Sequence, residues 1–122
     1  MTYEIICAGF GGQGILFLGK VIAYAGLEEK KEVSWIPSYG PEMRGGTCNC
    51  SVVVSSDKRV GMPVVTTPNV VIAMNRLSME RFEPTIVPGG FLIYNTTLIE
   101  VEPQRDDIKI AHIAASQIAN EL

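Results

Sequence analysis

Two short segments hold the residues best suited to binding a ligand. The first is Gly9-Phe10-Gly11-Gly12-Gln13-Gly14, and the second is Ser38-Tyr39-Gly40-Pro41-Glu42-Met43-Arg44-Gly45-Gly46. In the first, glycines permit the positive φ angles and close approaches with which a strand turns sharply into a helix. The backbone N–H groups at the start of such a helix face outward, where a phosphate or carboxylate oxygen can accept from them. A tight strand-to-helix corner with no ligand needs the same glycines, so the G-x-G-x-x-G spacing leaves both readings open. The second segment follows no helical or strand period. Gly40-Pro41 and Gly45-Gly46 punctuate it as a loop, and one acid, one base and one phenol stand within it. Long nonperiodic connections inside a compact domain usually serve function or assembly. A plain turn, with Glu42 and Arg44 paired to each other or to nearby backbone, is the alternative.

The elements that must position these segments read as an α/β domain. Residues 3–8 form a buried strand, because Ile5-Ile6-Cys7-Ala8 is continuously apolar and ends at glycine. A helix over residues 12–25 follows, with Ile15, Leu18, Gly19, Ile22 and Gly26 at helical spacing. Gly19 and Ala23 let it lie close to its neighbour, and Gly26 is the expected C-cap. Residues 28–32 are a charged, solvated connection, and 33–36 a second strand. This gives a Rossmann-like βαβ unit with a right-handed crossover. A dinucleotide-binding version would carry Asp or Glu at the end of that second strand. Ser34-Trp35-Ile36-Pro37-Ser38 stands there instead, which argues against NAD or FAD.

Residues 47–55 alternate and are rich in β-branched side chains, hence a strand, and a hairpin-like return near Val60-Gly61 predicts a mixed sheet. Val70 to Met74 forms another central strand, after which Asn75 caps a helix whose Leu77, Met79 and Phe82 turn partly inward and which Pro84 stops. Gly89-Gly90 opens a strand over 91–94, 108–110 is a short strand, and a helix starts near Ala114. The expected fold is a three-layer α/β/α arrangement on a mostly parallel mixed sheet, one domain over residues 1–122. Helical sequence running to Leu122 without a glycine cap suggests that the domain continues beyond it.

Composition narrows the function further. A net charge of −3, spread along 122 residues with 47% apolar and 19% charged, offers no nucleic-acid footprint. The N-terminus lacks a signal peptide and no apolar run is long enough to span a bilayer, so the cytoplasm is expected and no membrane partner. Cys7, Cys48 and Cys50 do not match zinc or iron–sulfur spacing and read as buried thiols. His112, the single histidine, has no nucleophile set around it, and neither catalytic nor metal-ligating residues are assigned.

The two segments together resemble the gamma subunit, or equivalent domain, of the 2-oxoacid:ferredoxin oxidoreductases, the group of the pyruvate, 2-oxoglutarate, 2-oxoisovalerate and indolepyruvate enzymes. The resemblance extends over nearly the whole chain, including the strand that ends at Asn75 and the approach at Pro88-Gly89-Gly90. It implies oxidative decarboxylation of a 2-oxoacid with coenzyme A to an acyl-CoA and carbon dioxide, with electrons passing to ferredoxin. It also implies partners: alpha, beta and ferredoxin-like delta subunits that carry thiamine diphosphate, Mg2+ and the iron–sulfur clusters. For this chain it leaves a positioning role. Gly9, Gly11, Gly12, Gln13 and Gly14, with Tyr39 and Arg44, are the expected coenzyme A or anion contacts, Arg44 through its planar fork and Tyr39 and Gln13 through neutral hydrogen bonds. An independent nucleotide-binding protein and a purely structural interaction module remain the alternatives.

Overall fold

The computed structural model describes residues 2–10, 15–38, 47–56 and 67–121. Along the chain run β1 (Thr2–Phe10), α1 (Ile15–Glu28), β2 (Glu32–Ser38), β3 (Thr47–Ser55), β4 (Val70–Ala73), α2 (Arg76–Phe82), a 3₁₀ turn at Glu83–Thr85, β5 (Phe91–Asn95), β6 (Lys109–Ile113) and α3 (Ala115–Glu121). The strands make one six-stranded sheet in the order β2-β3-β1-β4-β5-β6. Strand β3 is antiparallel to its neighbours β1 and β2, while β1, β4, β5 and β6 pair in parallel. The expected mostly parallel mixed sheet is therefore present.

Alternation along the central strands builds two cores. Ile5 and Cys7 of β1, with Cys50, Val52 and Val54 of β3, pack under Ile15 and Ala23 of α1. Ile6 and Ala8 point the other way, into a cluster with Val53, Val71, Ala73, Leu92 and Met79 of α2. Helix α1 covers one face and α2 the other, which makes the three layers.

The first βαβ unit differs from expectation in one respect. Strand β2 runs in the same direction as β1, but β3 lies between them, pairing Cys7↔Cys50 on one side and Trp35↔Val52 on the other. The physical reason is in the side chains. Strand β3 is buried on both faces, through Cys50, Val52 and Val54 on one and Asn49, Ser51 and Val53 on the other, and belongs in the interior, whereas β2 contains Pro37, which lacks a ladder donor and suits an edge strand.

Gly26 is not a cap. It lies inside α1, where an added Cβ would meet Val33 Cγ2 at 2.7 Å and Val54 Cγ1 at 3.1 Å, so its smallness serves the packing of helix on sheet. The helix ends instead at Lys30, which has φ 60°. Lys31 N–H donates to the Gly26 carbonyl at 3.0 Å and Lys30 N–H to that of Leu27 at 2.9 Å, a Schellman closure with lysine in the place glycine usually fills. In α2, Met79 is buried as expected but Leu77 is exposed, because this seven-residue helix turns only one side to the sheet. Strand β6 spans 109–113 and includes His112, whose ring lies 6.0 Å from that of Tyr94. The hairpin-like return near Val60-Gly61 lies outside the described residues.

Candidate functional site

Five of the strands end at one margin of the sheet. The register fixes this: Phe10 lies opposite Thr47, Ser38 opposite Asn49, Ala73 beside Ala8 and Tyr94 beside Ala73. The C-terminal ends of β1, β2, β4, β5 and β6 therefore gather with the N-terminal end of β3. In open α/β sheets this carboxyl margin is where ligands bind. The residues flanking both segments singled out in the sequence belong to it. Phe10 and Ile15 flank residues 11–14 of the glycine segment, and Ser38 and Thr47 flank residues 39–46. With neighbouring strands about 4.8 Å apart, β1 and β2 end roughly 10 Å from each other, separated by β3 alone.

Of the expected contact residues, Gly9 is described: it lies in β1, buried, opposite Cys48. Gly11, Gly12, Gln13, Gly14, Tyr39 and Arg44 lie outside the described residues. The thiol opposite Gly9, Cys48, is pushed up from its ordinary range by burial first and by the neighbouring Cys50 second, so it is no thiolate at neutral pH. Cys7 is pushed up further, because its S–H is held by Cys50 and because it is desolvated. Cys50 donates in turn to the Ile15 carbonyl at 3.6 Å. Two of the three thiols are fully buried under α1, and this set does not fit a four-thiolate iron–sulfur site.

Two buried asparagines complete the margin, and they differ. Asn75 follows β4 as Phe10 ends β1, each two residues past the paired Ala73 and Ala8. Its side-chain oxygen accepts from Ser78 N–H at 2.9 Å and caps α2, as expected from sequence. Its Nδ2 is buried without an acceptor among the described residues, leaving one neutral donor at the margin. Asn95, at the end of β5, is fully engaged. Its oxygen accepts from the N–H groups of Thr97, Ala115 and Ser116, and its Nδ2 donates to the Met74 carbonyl and Ser116 Oγ. It ties β4, β5 and α3 together. Sequence reasoning missed this role, although Asn95-Thr96-Thr97 carries the Asx-turn signal that accounts for part of it.

Elsewhere, a cleft of about 260 Å³ lies beside α2, lined by Arg76, Glu80, Glu83 and Glu102 among others. Arg76 pairs with Glu80 at 2.7 Å, and the carboxylate of buried Glu83 accepts from Gln104 and Arg105 N–H. With three carboxylates and its one cation engaged, this cleft is unsuited to an anion.

The fold defines an open α/β domain whose parallel strands end together at one margin of a mixed sheet. The chain belongs to the pyruvate ferredoxin/flavodoxin oxidoreductase family, whose sequence model matches residues 4–122. It is 41% identical over 114 residues to ketoisovalerate oxidoreductase subunit VorA of Methanothermobacter marburgensis, a match spanning 93% of this chain and 23% of that one. To 2-oxoglutarate synthase subunit KorC of Methanocaldococcus jannaschii it is 32% identical over 123 residues, spanning 99% of this chain and 65% of the other. Among solved structures it is similar to the 2-oxoglutarate:ferredoxin oxidoreductase from Magnetococcus marinus with 2-oxoglutarate, coenzyme A and succinyl-CoA bound. That likeness has a TM-score of 0.83 at 30% identity and covers 98% of this chain and 21% of that chain. This chain thus spans less than a quarter of VorA and about two thirds of KorC. No helix among the described residues is long and apolar enough to cross a membrane.

Proposed function

We propose that this chain is the gamma subunit, or gamma domain, of a 2-oxoacid:ferredoxin oxidoreductase, and that it helps to seat coenzyme A where subunits meet. The complex converts a 2-oxoacid and coenzyme A to an acyl-CoA and carbon dioxide and passes electrons to ferredoxin. Thiamine diphosphate, Mg2+ and iron–sulfur clusters belong to the alpha, beta and delta partners. This chain binds and orients. The observation that carries the reading is the register of β1, β2 and β3, by which the residues flanking the glycine segment and the Arg44 segment share one sheet margin. Family membership, and a relative solved with coenzyme A bound, support the same reading.

Each group has a chemical task. Backbone N–H groups of the glycine segment and the start of α1 attract anionic oxygens by about 0.3–1 kcal/mol when exposed and more when partly buried. Arg44 offers a bidentate fork to phosphate, which a lysine could not reproduce. Gln13, Tyr39 and the Nδ2 of Asn75, which has no acceptor among the described residues, supply neutral donors that orient without adding charge. The relatives' names span ketoisovalerate and 2-oxoglutarate, so the oxoacid is selected elsewhere in the assembly.

The test is Arg44→Ala in the reconstituted complex. Loss of one charge-assisted phosphate contact, about 1.5–3 kcal/mol, raises the KM for coenzyme A by roughly ten- to a hundredfold while kcat at saturation changes little. An unchanged KM together with unchanged subunit association would overturn the seating role.

A further inference from the structure

Helix α1 is apolar on both sides. Its inner side lies on the sheet through Ile15, Gly19, Ala23 and Gly26. Its outer side carries Phe17, Val21 and Tyr24 at the i, i+4, i+7 spacing of one stripe, with Leu27 alongside, and these side chains are 71%, 46%, 63% and 57% exposed. Lys20 and Glu28 are its only charges, and the Lys20 ammonium sits 5.9 Å over the Trp35 ring. Both charges are exposed on this outer side, and four large apolar side chains beside only those two form a patch of the kind that marks an interaction surface.

We propose that the outer face of α1 is a docking surface for a different polypeptide of the oxidoreductase assembly, one that presents an apolar and nearly uncharged surface. The inference rests on the reading of this chain as part of such an assembly. Area argues against a second copy. Taking roughly 200 Å² for a whole aromatic side chain, the four residues leave about 500 Å² open, near the upper range of apolar patches on monomers. Two such stripes face to face would bury about 1,000 Å², short of the roughly 1,200–2,000 Å² of stable interfaces. A different partner can reach further. On the same side of the sheet, beyond the strands that α1 covers, Phe91 is 40% exposed beside its register partner Val70. The lack of a lysine- and arginine-rich face argues against a lipid surface.

Position links this surface to the proposed site. Phe17 lies half a turn from the start of α1 at the carboxyl margin, and Leu27 lies about 15 Å further along the axis. A subunit seated on the stripe therefore begins at the corner from which the glycine segment leaves, and it would overhang that corner.

The test is association with the complex purified without this chain, titrated with wild type, with Phe17→Ser/Tyr24→Ser, and separately with Val21→Lys. Both variants are expected to bind at least tenfold more weakly, while the isolated chain melts as wild type does, since the side chains removed are exposed. Undiminished association by both variants would overturn the proposal. So would an isolated wild-type chain that is dimeric and made monomeric by the substitutions, which would identify a second copy, or one that binds phosphatidylcholine vesicles and loses that binding when altered. A wild-type chain that fails to join the complex would overturn both the assembly reading and this one. Full association of wild type with a coenzyme A KM indifferent to Arg44→Ala would remove only the seating role.

Discussion

The two sides of α1 differ in what sets residue size. Gly19, Ala23 and Gly26 stand beside Ile15 on the side that meets the sheet, and the bulkiest side chains, Phe17 and Tyr24, face outward. On the inner side, proximity decides. A Cβ on Gly19 would collide with Cys50 Sγ and stand 2.8 Å from Trp35 Nε1, so only a hydrogen fits between helix and sheet. On the outer side nothing among the described residues restricts size, and Phe17 and Tyr24 are far bulkier than solvation of a helix requires. Burial within the chain therefore explains one side of the helix, and burial against another chain explains the other.

The contrast predicts a graded set of effects on the stability of the isolated chain. Gly19→Val should cost most, about 2–3 kcal/mol, because overpacking outweighs the gain in helix propensity, which from glycine to β-branched valine is only about 0.3–0.5 kcal/mol. Denaturant titration reads it, and a variant as stable as wild type would mean that the inner side is not closely packed.

Next comes alkaline pH, which probes the thiols beneath the same side. The Cys7 thiol is raised in the folded protein, so the native state keeps its proton where the unfolded chain, near pH 8.5, begins to lose it. Stability from this group is complete below about pH 8.5 and falls above it by up to about 1.4 kcal/mol per pH unit. Tyr94, raised mainly by burial, adds to the loss above about pH 10. The partner thiol Cys50 is shifted down chiefly by its contact with Cys7 and is otherwise raised by burial, so it is the double variant Cys7→Ala/Cys50→Ala that should flatten the melting profile between these two onsets.

Smaller still is the end of the helix. Lys30→Gly removes the strain of φ 60° on a side chain, offset in part by the freedom glycine adds to the unfolded chain, for a net gain of about 0.5 kcal/mol by chemical denaturation. Smallest is Phe17→Ser/Tyr24→Ser, expected within about 0.5 kcal/mol of wild type in the isolated chain, as exposed substitutions usually are. A large loss there would show that the outer face is part of this chain's own core, and the contrast would fail.

Much of this was legible in the sequence because it is local. The apolar run at Ile5 to Ala8, the helical spacing of Ile15, Leu18 and Ile22, and the capping oxygen of Asn75 all act within a few residues of themselves. The family resemblance carried by the two glycine-punctuated segments is borne out by the family match. Glycine was harder to read. Gly26 sits where a C-cap would be plausible, yet its contacts are Val33 and Val54, and the true closure uses a lysine that no propensity would select. Asn95 directly follows the strand expected over 91–94, and its partners at Met74, Ala115 and Ser116 lie about twenty residues away in either direction.

The sequence by itself determined which segments form strands and helices, that the sheet is mixed, and where the residues with chemical potential stand along the chain. Only the tertiary structure decided that β3 enters between β1 and β2, that five strand ends share one margin, and that the small residues of α1 bring it close to the sheet while Phe17 and Tyr24 stay outside. Periodicity and caps are set by neighbours along the chain. Strand order and the facing of a helix apolar on both sides are set by contacts between residues far apart in sequence, and no local pattern encodes them.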